Sequence, residues 1–368
     1  MQIWPFTPLA NIVETLAWHT NVLQSRTSED ALSLRVPRQG FTYRFSFDDR
    51  QMAIAEGLYR SNPTGDWLVP VWPERTLVSN IATADTSLVV NTAADYRIGG
   101  RAVIIYGQDL VQEITTVAVG VASIDLSAPV GENIAQSAVA PLRVAYCATG
   151  LKVDRQFQGR TIVTMGFQVR DNLEIPETPY VQYLGLDVLT DPSLTVRPLS
   201  GNIVMPTTLI DNGFGPVVIE NIRDVMRGRH AAEFLDATPE ARWRRKKWLF
   251  YLNGRQRHFW LPTWADDLVL TGPVSAVSNS ITVNPILPNV ADYVGRHIMV
   301  EGDPAIYREV TSAVVSGLNH RLYLSPLGVD IPEGRVGFLN KVRMDADTVE
   351  INHEATMRSR TGLQLMEV

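Results

Sequence analysis

The stretch "FWLPTW" (Phe259–Trp264) decides how this chain is interpreted, because a similar stretch, "WLVPVW" (Trp67–Trp72), precedes it by about 190 residues. The prolines of the two stretches align, and so do their last tryptophans. The first tryptophans align after a slip of one place. No acid or base occupies the same neighbouring position in both stretches, which indicates that the tryptophans serve packing. A proline has no amide hydrogen to donate to a sheet ladder, so each stretch is expected at a strand edge or bend. The predicted structural repeat positions are Trp67, Pro70, Trp72, Trp260, Pro262 and Trp264.

The two stretches are called the tryptophan strips. The same elements surround both strips in the same order: a helix, the strip, then a small β module. The modules fall at about 76–146 and 270–340 and consist of short runs rich in β-branched residues between turn residues. Within them "ADY" occurs at 94–96 and 291–293, and Gly100-Arg101 matches Gly295-Arg296. Matching order and spacing predict an internal duplication.

The predicted fold is mainly β with a few short helices. It is an internally duplicated β-rich domain, and each copy is a strand–helix–hairpin unit that carries a small barrel-like or sandwich-like β module. The first repeat is assigned to residues 1–170, a joining region rich in proline and acids to 171–202, and the second repeat to 203–368.

Two helices are predicted. Asp48 or Asp49 caps a run through Tyr59, and Thr238-Pro239-Glu240 is a start signal with a hydroxyl cap and a proline at the first helical position. Asn253-Gly254 either ends the second helix or forms a hairpin turn, because both roles use the left-handed conformation.

Composition sets the class of protein. The chain has 368 residues, 45% of them hydrophobic, and a net charge of −6, values typical of a folded protein without general affinity for nucleic acid. The single cysteine, Cys147, excludes an internal disulfide framework and fits assembly in a reducing cytoplasm. We expect no secretory signal and no membrane insertion, because no basic N-terminal region or apolar run of about 20 residues is present.

Catalytic motifs are missing from the sequence. No phosphate-binding loop, nucleophile elbow or paired-histidine motif occurs. The adjacent acids Asp266 and Asp267 would face opposite ways on a strand, so we interpret them as a turn. We therefore expect no enzyme activity, no cofactor and no metal.

The run "RWRRKKW" (Arg242–Trp248) is the strongest charge feature. Basic residues interleaved with tryptophan can bind phosphate backbones and stack on bases. The favoured interpretation is a helix whose polar face is basic and whose aromatic face belongs to the core. An acidic partner subunit is as good a target for such a face as DNA.

The stretch from Val13 to Phe47 resembles the opening of tail proteins from long-tailed bacteriophages. Its matching elements are Trp18-His19-Thr20, Glu29, Pro37-Arg38 and the aromatic strand Phe41–Phe47. The stretch "RRKKWLFYLNGRQRHFWLPTWADDL" is similar to the helix, glycine, aromatic strand and aspartate of distal tail proteins of such phages and of gene transfer agents. The duplication and the β modules depart from the simple family form.

The resemblance implies a structural virion protein of the tail tip, assembled in the bacterial host cytoplasm. Distal tail proteins form rings that connect the tail tube to the baseplate hub and fibres. A homo-oligomer of three-fold or six-fold symmetry is then expected, with DNA passing through its channel without specific binding. The alternatives are a baseplate hub or tail-fibre adaptor, or a carbohydrate-binding or glycan-degrading virion protein, for which exposed tryptophans would be diagnostic.

Charge and position indicate where one subunit would meet the next. We expect the arginines of the N-terminal strands and of the basic helix near a neighbouring chain. These possible interface residues are Arg35, Arg38, Arg44, Arg244 and Arg245.

Overall fold

A computed structural model describes residues 1–25, 29–107, 110–157, 159–191, 193–195, 200–204, 207–221, 227–331, 335–355 and 357–368, without the side chains of residues 24, 34–36, 204, 221 and 227. Most of this part of the chain is β-strand, with two α-helices and two short 3-10 helices. The prediction of a mainly β fold with a few short helices is confirmed.

The strands are numbered along the chain. Those up to residue 169 are β1 (Gln2–Ile3), β2 (Ile12–Gln24), β3 (Glu29–Phe47), β4 (Asp66–Pro70), β5 (Thr76–Ile81), β6 (Ser87–Val89), β7 (Arg101–Ile105), β8 (Val111–Val119), β9 (Ser123–Leu126), β10 (Ile134–Cys147), β11 (Lys152–Phe157) and β12 (Arg160–Val169).

The remaining strands follow from residue 182. They are β13 (Gln182–Tyr183), β14 (Leu186–Val188), β15 (Ser200–Val204), β16 (Thr207–Ile210), β17 (Val218–Asn221), β18 (Arg227–Asp236), β19 (Phe259–Pro262), β20 (Leu268–Val269), β21 (Ser280–Val283), β22 (His297–Val300), β23 (Ile306–Glu309), β24 (Ser312–Ser316), β25 (Asn319–Tyr323), β26 (Arg335–Met344), β27 (Thr348–Ala355) and β28 (Arg358–Glu367).

Helix α1 (Asp49–Ser61) begins where the sequence predicts. The Asp48 side chain accepts a hydrogen bond from the Gln51 amide, and the Gln51 side chain accepts one from the Asp48 amide, which completes a capping box. Met52 and Ala55 are buried against the first half of the sheet, so they hold this helix on the core.

Helix α2 (Pro239–Leu252) also agrees with its predicted bounds. Thr238 caps the first turn by accepting from the Ala241 amide. Asn253 adopts a left-handed conformation with φ 55°, and Gly254 follows with φ 71°. The Asn-Gly pair therefore ends the helix, and the hairpin alternative is wrong.

The strands of the two halves pair in the same order. In the first half β4 pairs in parallel with β1 and antiparallel with β10, and β12 pairs with β11, β10 and β3. In the second half β19 pairs in parallel with β14 and antiparallel with β26, and β28 pairs with β27, β26 and β18. Strand β14 lies inside the predicted joining region, 171–202.

In each half, the part outside the β module is called the body. The body and the module of each half have separate hydrophobic cores. The aromatic strand of β3 and the first strip fill the first body, while Trp248 and Phe259 belong to the second. The cores of the two modules centre on Ile104 and on Val300. Neither helix of the described chain is long and apolar enough to cross a membrane.

The two bodies share one sheet. Strand β2 pairs with β3 on one side and with β27 on the other, so the sheet runs β11-β12-β3-β2-β27-β28-β18-β15. The joint between the halves is therefore the antiparallel β2·β27 ladder, and the side chains around it form the candidate site.

Candidate functional site

The tryptophan strips are internal. Trp67, Trp72 and Trp260 are 0%, 1% and 5% exposed, and Trp264 is half-buried. Pro70 and Pro262 are the last residues of their strands and lie opposite Leu142 and Leu339. The three buried rings offer no face on which a sugar could stack, which removes the diagnostic feature of the carbohydrate alternative at these positions.

The aromatic slip between the strips has a structural explanation. Trp67 lies opposite Gln2 in the parallel β1·β4 pair, and Phe259 lies opposite Asp187 in the parallel β14·β19 pair. Phe259 is fully buried, as Trp67 is. The residue at the place of Trp67 is thus Phe259, whereas Trp260 lies one position later and donates from its indole Nε1 to the Tyr183 carbonyl at 2.9 Å.

Much of the basic run points inward. Arg242, Arg245 and Lys246 are 5%, 1% and 1% exposed. The Arg245 guanidinium lies 2.7 Å from the Asp191 carboxylate and 3.2 Å from that of Asp236. The predicted solvent-facing basic face is therefore wrong for these three side chains, and buried, paired charges offer nothing to a phosphate backbone.

Lys246 joins the two halves at the centre of the sheet joint. Its ammonium Nζ lies 2.9 Å from Glu14 Oε1 on β2 and 2.7 Å from Glu74 Oε1, which follows the first strip. Gln39 on β3 donates to the same Glu14 oxygen at 2.6 Å. All four residues are at most 4% exposed.

The network continues on both sides of Lys246. On the second half, His353 Nε2 lies 3.0 Å from Glu14 Oε2, and His353 Nδ1 lies 2.7 Å from the Ser359 hydroxyl. On the first half, Glu74 Oε2 accepts from the Asp95 amide at 2.7 Å. The Asp95 carboxylate in turn accepts from Arg143 Nε at 2.7 Å, so the bonds run from one body to the other.

Mutual charge compensation sets the pKa values of this network. Burial raises the pKa of Glu14, but the Lys246 charge and the His353 contact outweigh it and hold that pKa far below its usual range. Burial lowers the pKa of Lys246, but Glu14 and Glu74 more than offset this and raise it. Burial outweighs the Glu14 contact at His353 and lowers the pKa of this imidazole, which disfavours its protonated form.

The polar groups of the network are bonded mainly to one another. Its acids, its lysine and its histidine are enclosed and bonded to one another, and no group of His, Cys, Asp and Glu side chains in the described chain could hold a metal ion. A cavity of about 220 Å³ lies beside it, lined by Pro8, Leu9, Ile12, Trp72, Arg75 and His353 among others. Glu354 is the one carboxylate among its lining residues, whereas glycoside hydrolysis uses a pair.

The structure describes the side chains of four of the five predicted interface arginines, and these four separate into three groups. Arg38 and Arg44 are exposed on β3, and the Arg35 side chain lies outside the described residues. Arg244 is partly exposed, with its guanidinium 5.4 Å from the Tyr180 ring and 3.3 Å from Asp191. Arg245 is enclosed within its own chain and has no surface for a neighbour, which does not agree with an interface position.

The sequence drew attention to the basic run that contains Lys246 but not to its partners Glu14 and Glu74, yet one signal was present. Strand β2 alternates, and its inward positions are Ile12, Glu14, Leu16 and Trp18. A carboxylate in a buried alternating position requires a cationic or hydrogen-bonding partner. That rule identifies Glu14 as paired, although it does not identify Lys246 as the partner.

No protein-family model matches the chain, and no curated protein matches it either.

We expect the stability of the protein to fall in acid from about pH 6.5 downward. The folded pKa of His353 lies below 6.5 and that of Glu14 below 4.5, so in both cases the unfolded chain binds protons at a higher pH than the folded one. Their stabilising contributions are complete above those unfolded values and decline as pH falls through them. At the other end, the raised pKa of Lys246 makes its contribution decline as pH rises above about 10.5.

The measurement is the urea midpoint as a function of pH. His353→Gln keeps donor and acceptor atoms near Glu14 and Ser359 but does not titrate, so its stability should depend less on pH between about 6.5 and 5 than that of the wild type. Identical slopes for the two proteins in that window would contradict a lowered pKa of His353 in the folded protein.

Proposed function

We propose that this chain is a structural virion protein of a bacteriophage tail tip, in which it forms a ring that connects the tail tube to the baseplate hub and fibres. The resemblance of Val13–Phe47 to tail proteins of long-tailed bacteriophages, and of the Arg244–Leu268 stretch to distal tail proteins, supports this proposal. The proposal includes the internal duplication, which the recurrence of strand pairings in the two halves supports.

The observation that carries the proposal is the surface left for assembly. The two outermost strands of the eight-stranded sheet, β11 and β15, each have one pairing partner in the described part of the chain. A two-stranded hairpin, β16–β17, forms a separate sheet whose described side chains are exposed, and Phe214 at its tip is 85% exposed. Open strand edges and exposed apolar side chains of this size are features of proteins that pair with another chain.

Charge supports a structural role over nucleic-acid binding. The basic run on α2 is largely used inside the chain, and the net charge of the whole protein is −6. A weakly acidic wall lets DNA pass without retaining it. We therefore propose the tail tube, the hub, the fibres and further copies of the chain as partners.

The test is immunogold labelling of phage-like particles from the cells that encode the chain, with an antiserum raised against the purified protein. We expect gold at the end of the tail tube, and rings of three-fold or six-fold symmetry when the purified chain is imaged alone. Label on the fibres would indicate the adaptor alternative instead. Particles that carry no label, with the chain recovered only outside them, would overturn the proposal.

A further inference from the structure

The joint between the two halves suggests how one copy of the chain joins the next. At this joint the outer strand of the first body, β2, extends the second body's sheet by pairing with β27. The contact therefore joins an edge strand of the first body, β2, to an edge strand of the second body, β27.

Each kind of edge is present twice. In the first body β2 borders β3, and in the second β15 borders β18. Likewise β27 borders β28 as β11 borders β12. The joint uses β2 and β27, so their counterparts β15 and β11 remain at the two ends of the same sheet, without a second pairing partner in the described chain.

The aligned strips fix the register between these counterparts. Leu142 and Leu339 lie opposite the two strip prolines, so they occupy equivalent positions. Five residues later, Cys147 and Met344 are therefore equivalent. Their ladder partners, Phe167 and Leu365, are equivalent as well. Counting along the ladders from these pairs places Ser200 of β15 level with Val13 of β2. The same count places Val153 of β11 level with Ile351 of β27.

We propose that β15 of one copy pairs antiparallel with β11 of the next copy, in the register of the β2·β27 joint. The occupant of each open edge is thus a second copy of this chain. The opposed pairs carried over from the joint are Ser200–Asp154, Gly201–Val153, Asn202–Lys152 and Ile203–Leu151.

The exposure of the two edges agrees with this pairing. All six side chains of β11 are exposed, and so are those of Ser200 to Ile203 on β15. Ile203 is 70% exposed in the free chain and lies opposite the half-buried Leu151 in the proposed pair. Charges and bulges can discourage pairing at an edge; β11 carries three charged residues, and its bulge, between Arg155 and Phe157, lies outside the proposed pairs.

The exposed β16–β17 hairpin would take part in the same contact. At the joint, the hairpin formed by β2 and β3 continues beyond the β27 ladder and packs on the second body. Trp18 enters that core, Arg255 Nε donates to the Thr20 hydroxyl at 3.0 Å, and Arg343 pairs with Glu29. The β16–β17 hairpin continues from β15 and β18 along the chain in the corresponding place, so in the assembly it would pack on the first body of the next copy.

The side chains of this hairpin suit such a contact. Its exposed apolar members include Leu209, Phe214 and Ile219, at 65%, 85% and 66%. Residues 207–221 contain Asp211 and Glu220 but no lysine or arginine, which gives a charge of −2. In the proposed register Lys152 lies opposite Asn202, towards the end of β15 that leads into the hairpin, and its charge is opposite in sign to that of the hairpin.

This contact uses a different surface on each partner, and repeated contacts of that kind close into a ring or continue as a filament. It deepens the proposed function, because it names the edges through which such a ring would form. It does not require that the ring belong to a phage tail.

The test is oxidative cross-linking of the full chain with cysteines at Asn202 and Lys152. Opposed residues of an antiparallel pair have Cβ atoms about 4.5–5.5 Å apart, close enough for a disulfide after small adjustment. The double variant should shift from one band to a ladder on a non-reducing gel. A mixture of the two single variants should give dimers and no larger species, because each copy then carries one reactive edge.

The matched control pairs Asn202→Cys with Val153→Cys. Successive side chains of a strand point to opposite faces of the sheet, so the thiols of this pair lie on opposite faces and should not link. The single variants report any product formed through the native Cys147. A double variant that remains monomeric on the gel, or a control that links equally well, would overturn the proposed pairing.

The two proposals fail separately. Cross-linked ladders from a chain that is absent from tail particles would leave the β15·β11 contact standing and remove the tail-tip function. Gold label at the tail tip, together with no cross-link in the double variant, would do the reverse.

Discussion

Replacing Lys246 by alanine is expected to lower the free energy of unfolding by about 3–5 kcal/mol. The substitution leaves the carboxylates of Glu14 and Glu74 enclosed without the ammonium that lies within 2.9 Å of both. An uncompensated buried charge is among the most destabilising defects a single substitution can cause.

Urea denaturation of wild type, Lys246→Ala and Lys247→Ala measures the effect. Lys247 is the next residue on the same helix, is partly exposed and lies 5.9 Å from the Trp243 ring, so its loss should change stability by about 0.5 kcal/mol or less. A third variant, Lys246→Ala with Glu74→Gln, should recover part of the lost stability because it removes one of the unpaired charges. Equal losses for the two lysine variants would disprove a central role for Lys246.

Replacing Trp67 by alanine should cost about 3–5 kcal/mol, because a fully buried indole ring is lost and a cavity remains. Its ring lies 5.5 Å from that of Trp4, centroid to centroid, in an edge-to-face contact that adds to this value. The Trp67 Nε1 atom has no hydrogen-bond partner among the described residues, so the ring contributes through packing.

Trp67→Phe separates packing from polarity. We expect it to cost roughly half as much as the alanine variant, because it loses no hydrogen bond and phenylalanine already stands at the corresponding place, Phe259, in the second half. Thermal unfolding of both variants, with the half-buried Trp264→Ala as a comparison, tests this order. If the phenylalanine variant were as unstable as the alanine variant, a packing role alone would not explain Trp67.

Local signals in the sequence were sufficient for the helices. Thr238-Pro239 and Asp48 supply caps that depend on neighbouring backbone amides alone, so a few residues determine where each helix begins. The alternating aromatics of Phe41–Phe47 are likewise all buried on one face of β3. Fold class followed from such signals because each is complete within one element.

The sequence alignment of the two halves differs by one residue from the alignment given by the strand pairing at a glycine turn. The sequence aligned Gly100-Arg101 with Gly295-Arg296, whereas the residue pairing places Gly99 level with Gly295. Both of these glycines have positive φ, 73° and 80°; the Gly99 amide donates to the Thr116 carbonyl and the Gly295 amide to the Val310 carbonyl. The shared Gly-Arg dipeptide determined the sequence alignment. The equivalent glycines are those with positive φ, and backbone conformation is not visible in the sequence.

The buried network could not be read from the sequence, because its members are far apart along the chain. Glu74 and Lys246 are separated by 172 residues, and Glu14 and His353 by 339. The charges of Arg245 and Lys246 resemble a solvated helix face by composition, and only the acids that surround them in the fold reverse that interpretation.

The order of synthesis gives the β2·β27 ladder a consequence for folding. Strand β2 leaves the ribosome before its partner β27, because in the pair Ile12–His353 the second residue is made 341 residues after the first. At about 5–20 residues per second, that interval lasts roughly half a minute. During it β2 exposes one unpaired edge and the apolar side chains of Leu16 and Trp18, which later enter the second core. Until β27 emerges, the exposed edge and side chains make the nascent chain prone to aggregation.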